Sequence, residues 1–184
     1  MTNVHPVFVT GPQRSGTTIA ARILADQSNK TYVDESEYNA LTLPDNAIIQ
    51  APFATKYIVE LSFSFPLSFF VILYRDKQQI VNSMERIEWY KDSIDHPDFY
   101  SVYVDNVYKS IELQLQCLPE SRYLKLNYDS LKSHNLFVDD RKDFTTRQWQ
   151  KDKQKGPAKW RNDDHARSYD LRLQNLSTSS LESA

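Results

Sequence analysis

One cysteine, three glycines and four histidines are all that the 184 residues hold of three types that often carry structure or chemistry. With Cys117 alone, no intramolecular disulfide can form, and a lone thiol is expected to be a small apolar filler in a chain from a reducing compartment. An excess of one charge is missing too. The 22 basic and 24 acidic residues leave a formal net charge of -2, so nothing in the balance announces nucleic acid or an anionic membrane, and any anion site must be local. The longest apolar run, around Phe69 to Tyr74, is far short of the ~20 residues a spanning helix needs. A basic-then-apolar export signal is also lacking at the N-terminus. The expectation is a soluble, cytoplasmic protein with no membrane and no nucleic-acid partner.

Length and pattern give the fold class. A chain of this size supports one core without staples, burying roughly 70% of the surface its unfolded form exposes. A single domain over 1–176 is expected, with 177–184 a disordered tail. Residues 5–10, 31–33, 47–50, 69–74 and 123–126 read as strands, several of them continuous apolar runs of the kind buried on both faces of a parallel sheet. Helical spacing marks 17–27, with a threonine placed to cap it, then Pro52 to about Ser64, 76–88, a helix from about Pro97 that ends before Pro119, and a short one over 128–132. Strands alternating with helices argue for a three-layer α/β domain with a mainly parallel central sheet flanked by helices. Ligands of such sheets bind at the carboxyl ends of the strands. That rim collects Gly11–Thr18, Asp34–Glu37, Gln50–Pro52 and Arg75–Asp76, because each segment directly follows a strand.

The first of these segments, in FVTGPQRSGTTI, carries the strongest chemical signal. A glycine-framed loop running into a helix offers successive backbone N–H groups and the positive end of a helix dipole, a setting for phosphate or sulfate. Arg14 adds a planar donor fork, and Ser15, Thr17 and Thr18 add hydroxyls. A nucleoside triphosphatase would place lysine directly after Gly16 to reach the β/γ-phosphates, and an acidic residue on Mg²⁺. Thr17 stands where that lysine would be. Asp76 has the position for the acidic residue, but Arg75 beside it would compete with a metal.

The run GPQRSGTT resembles the GxPRSGTT loop of the sulfotransferases that use 3′-phosphoadenosine 5′-phosphosulfate (PAPS), especially their tyrosylprotein branch. The similarity continues through APFATKYIVELSFSFPLSFFVILYRDKQQIVNSM, residues 51–84, and covers most of 6–130. It implies a P-loop-type fold and PAPS as sulfuryl donor, with no metal required. It assigns Gly11, Pro12, Gln13, Arg14, Ser15, Gly16, Thr17 and Thr18 to the 5′-phosphosulfate, and Arg75 and Ser83 to the 3′-phosphate. Arg14 would neutralise charge growing on the bridging oxygen. The general base falls in YVDESE, where Glu35 matches best, Asp34 and Glu37 compete, and His5, His96, His134 and His165 match no motif.

Two departures accompany the resemblance. Relatives commonly carry a lysine two residues before the proline of the second helix, and this chain has Gln50, a donor without charge. Near the C-terminus KQKGPAKWRN faintly echoes a segment that closes over the 3′-phosphate, so Lys155 and Gly156, with Lys159 and Arg161, are weaker cofactor-binding candidates. The acceptor is expected to be a small molecule, saccharide or peptide. Trp89, Tyr90, Tyr100 and Tyr103 offer an aromatic wall for it, although aromatics at helical spacing also build core. The small size leaves a homo-oligomer open, as Gln50 leaves open a PAPS- or nucleotide-binding module without turnover. A P-loop nucleotide kinase is the third reading.

Overall fold

A computed structural model describes residues 5–44, 46–87 and 98–137, all within one compact unit, Met1–Phe137. The expected domain limit at 176 and the tail over 177–184 lie outside the described residues. Five strands, β1 (Val7–Thr10), β2 (Thr31–Val33), β3 (Ala47–Gln50), β4 (Phe69–Tyr74) and β5 (Tyr123–Asn127), form a sheet in the order β2-β3-β1-β4-β5. Every ladder is parallel, with Val7 opposite Ile48 and Phe69, and Phe70 opposite Tyr123. Helices α1 (Thr17–Ser28), α2 (Ile58–Ser64), α3 (Lys77–Arg86) and α4 (Phe99–Leu115) complete the α/β fold.

Alternation along β1 explains the layers, since successive side chains point to opposite faces. Val9 joins Ala20, Ala21, Ile23, Val71 and Leu73 in the core beneath α1. Its neighbour Phe8, fully buried, stacks on Phe70 at 5.5 Å between centroids and meets Phe65 after α2. A third cluster joins α3 to the first half of α4 through Ile80, Val81, Met84, Tyr100 and Val104. Tyr100 is therefore core and no part of an acceptor wall.

Three local expectations are corrected. No threonine caps α1: its N-cap is Gly16, with φ 100° and ψ 21°. The segment expected as one helix from Pro52 to Ser64 divides into a 3-10 turn, Pro52–Lys56, and α2, separated at Tyr57. The break is fixed by a distant side chain, for Gln114 of α4 donates to the Thr55 carbonyl at 2.7 Å and accepts from the Ile58 N–H at 2.8 Å. Cys117 is exposed just beyond α4, so it fills no core. Among the described residues no helix is long and apolar enough to cross a membrane.

Candidate functional site

The loop between β1 and α1 is shaped by close packing against β4 and β5. A side chain at Gly11 would come within 2.9 Å of the Leu73 carbonyl oxygen and 2.7 Å of Ser15 Oγ, so only hydrogen fits. At Gly16 a Cβ would meet the Tyr128 ring at 2.5 Å, in a backbone conformation that already favours glycine. The Ser15 N–H donates to the Pro12 carbonyl at 3.0 Å and closes a turn, and Arg14 takes a left-handed conformation, φ 68°. Such a conformation costs a non-glycine residue on the order of 1 kcal/mol and is held where the surroundings demand it. The helix that follows has no side-chain cap hydrogen bond at its N-cap, Gly16. Ser15 Oγ and Thr10 Oγ1 are fully buried and, among the described residues, have no hydrogen-bond partner. Thr17 is buried and Thr18 exposed at the head of α1.

Arg75 and Ser83 fold against this loop. Arg75 Nη1 donates to the Arg14 carbonyl at 2.9 Å, and Arg14 Nε donates to Ser83 Oγ at 3.1 Å. Ser83 is only 5% exposed, turned inward from α3, and also accepts from Arg86 Nη2 at 3.5 Å. Arg14 and Arg86 thus share the Ser83 hydroxyl, and Arg75 takes the Arg14 carbonyl, beside a helix start that no side chain caps. Two participants were not singled out in the sequence. Arg86 lies one helical turn beyond Ser83, a spacing that could have flagged it. Tyr128, directly after β5, is 4% exposed, with the Arg75 guanidinium carbon 4.0 Å from its ring centroid. Asp76 caps α3 by accepting from the Gln79 N–H at 2.9 Å.

The acidic turn after β2 separates its three carboxylates by environment. Asp34 accepts from the Ser36 N–H at 3.0 Å, the Ser36 hydroxyl at 2.7 Å and the Tyr32 hydroxyl at 3.0 Å. Burial opposes its ionisation, but these bonds prevail and hold its carboxyl below the usual range. Glu37 is exposed. Glu35 is half-buried, bound by the Phe53 backbone and the Gln13 side chain, and burial raises its pKa to about 7 despite those bonds. Glu35 therefore links three rim segments: its own turn, the β1–α1 loop through Gln13, and the 3-10 turn through Phe53.

Gln50 ends β3, 9% exposed, and its carbonyl oxygen lies 3.0 Å from the Tyr32 hydroxyl. Burial and the Asp34 charge push the Tyr32 pKa up to about 12, so this hydroxyl keeps its proton and shares it between Asp34 and Gln50. Beyond the 3-10 turn, a groove of about 670 Å³ is lined by Thr55, Lys56, Phe99, Val102, Tyr103 and neighbours on α4. Of the aromatic wall, Tyr103 is in that groove and Tyr100 is not, while Trp89 and Tyr90 lie outside the described residues. So do Lys155, Gly156, Lys159, Arg161, His96 and His165. His5 is exposed ahead of β1, and His134 Nδ1 accepts from the Leu136 N–H at 3.1 Å.

Comparison with known protein families gives no match to this chain, and comparison with curated proteins gives none.

Proposed function

We propose that the chain is a P-loop-type sulfotransferase that moves the sulfuryl group of PAPS to a hydroxyl or amine acceptor. The observation that carries this reading is the joining of its two sequence motifs, where Arg75 holds the Arg14 backbone and Arg14 holds Ser83. A donor with phosphate at its 3′ position and phosphosulfate at its 5′ position needs two anion sites, and the bonds of Arg14 to Arg75 and Ser83 support such a pairing. The orphaned Ser15 hydroxyl and the uncapped head of α1 fit the phosphosulfate end.

In the transfer, the bond from sulfur to the bridging oxygen breaks as the bond from sulfur to the acceptor oxygen forms. The electron pair leaves with adenosine 3′,5′-bisphosphate, where Arg14 stabilises the growing charge, and the acceptor proton passes to Glu35. A group that titrates near neutrality is suited to that role. Gln50 supplies its amide where the PAPS-dependent family it resembles commonly places a lysine, and this neutral substitute is what favours the second reading, a binding module without turnover. Capping by Asp76 speaks against a metal role for it and so against a kinase.

Calorimetry decides first. Adenosine 3′,5′-bisphosphate is expected to bind where ATP does not, and absence of saturable bisphosphate binding would refute the proposal. Arg75→Ala is expected to weaken bisphosphate binding by roughly 10- to 100-fold, the loss of a charge-assisted contact, with adenosine 5′-phosphosulfate little affected. Incubation with sulfur-labelled PAPS and a library of phenols, sugars and peptides separates enzyme from binding module: labelled product that vanishes in Arg14→Ala supports transfer.

A further inference from the structure

Sheet hydrogen bonding gives out at the carboxyl end of β4. The last pair in register with β5 is Tyr74 with Asn127, and that with β1 is Ile72 with Thr10. Beyond them the backbone of Arg75 has no strand to bond, and an unpaired N–H there would leave the direction of the side chain unfixed. The missing partner comes from α4. Tyr108 Oη accepts from the Arg75 N–H at 3.0 Å and lies 3.4 Å from both the Leu73 and the Arg75 carbonyl oxygens.

The ring that delivers this hydroxyl is itself held. Tyr108 stacks on Tyr74 at 5.1 Å with the planes 9° apart, and Tyr74 donates to Glu112, which receives Lys125 Nζ at 2.8 Å on each oxygen. Burial raises the Tyr108 pKa, which keeps its hydroxyl protonated and able to donate as well as accept. Both residues whose backbone it touches, Leu73 and Arg75, also meet the loop between β1 and α1. The Leu73 carbonyl is the surface against which Gly11 packs, and Arg75 is the residue whose guanidinium holds the Arg14 carbonyl.

We infer that Tyr108 is a positioning residue for the 3′-phosphate site: it continues the sheet by one side-chain bond and so fixes how Arg75 leaves β4. This rests on the reading of Arg75 as the 3′-phosphate ligand. Tyr108→Phe keeps the ring and its stack on Tyr74 while removing the hydroxyl, and thermal unfolding of the variant checks that it folds.

Titration of the 184-residue chain with adenosine 3′,5′-bisphosphate and with adenosine 5′-monophosphate gives the test. In Tyr108→Phe the bisphosphate is expected to bind about tenfold more weakly, the loss of one hydrogen bond's worth of order. The monophosphate should stay within about twofold, and the variant should have no further effect in an Arg75→Ala background, where the positioned group is gone. Unchanged bisphosphate affinity, or equal losses for both nucleotides, would overturn the inference. If the unaltered chain fails to bind the bisphosphate, the proposed function falls, and hydrogen exchange at the Arg75 amide still decides the role of Tyr108. Faster exchange in Tyr108→Phe, with the amides inside β4 unaffected, supports it; an identical rate at Arg75 refutes it.

Discussion

At Glu35 stability and chemistry pull in opposite directions. Its carboxyl titrates at about 7 in the fold against 4.5 ordinarily, because burial penalises the charge. A raised value means that the contribution to stability is whole below the unfolded value and is lost as pH climbs through about 7. Glu35→Gln removes this dependence. Urea unfolding should show the variant gaining, relative to the unaltered chain, on the order of 2 kcal/mol between about pH 5 and about pH 9, with partial exposure discounted. Turnover should move the other way, rising through about pH 7 in the unaltered chain as Glu35 ionises and dropping in Glu35→Gln at every pH. Full activity in that variant would move the base elsewhere. Asp34, which shares the turn, is held ionised by Ser36 and Tyr32 and is spent on shaping it.

Helix ends make the same division between structure and chemistry at the next scale up. Asp76 caps α3, whereas α1 begins at Gly16 with no cap. Asp76→Ala should therefore cost about 1 kcal/mol of stability, measured by chemical denaturation, and leave bisphosphate affinity within about twofold. Abolished nucleotide binding in that variant would instead point to a metal-holding carboxylate. Elements of this kind were largely legible in the sequence. Strands such as Phe69–Tyr74, buried on both faces, show as unbroken apolar runs, and the loop of Gly11 and Gly16 announces itself by composition. What escaped is set from a distance. The break after Pro52–Lys56 depends on Gln114, the pocket for Gly16 on Tyr128, and the end of β4 on Tyr108, and no local window joins those pairs.

Across the whole sheet, the two edges have different duties. The candidate site lies at the carboxyl ends of the strands, while the amino ends are tied by hydrogen bonds between structural groups. Arg122, just before β5, donates through Nε to the Ser68 carbonyl at 2.7 Å and through Nη2 to Ser68 Oγ at 3.1 Å and the Phe65 carbonyl at 3.3 Å. Arg122→Ala is expected to lower stability by roughly 2 kcal/mol, read from denaturant midpoints, with bisphosphate affinity unchanged. A loss of affinity there, beyond what partial unfolding explains, would show that the edges are coupled.

The strand order also bears on how the molecule comes into being. β1 lies at the centre of the sheet, yet it precedes the other four strands in sequence, and neither of its neighbours, β3 and β4, is its neighbour in sequence. The loop it carries is braced by the Leu73 carbonyl at Gly11, by Arg75 at Arg14 and by Tyr128 at Gly16. A nascent chain that ends before Leu73 has none of these supports, and one that ends before Tyr128 lacks the last. The Gly11–Thr18 loop is thus made before each of the elements that brace it and takes its shape only after them, and the apolar VFVT beside it must wait for partners made later.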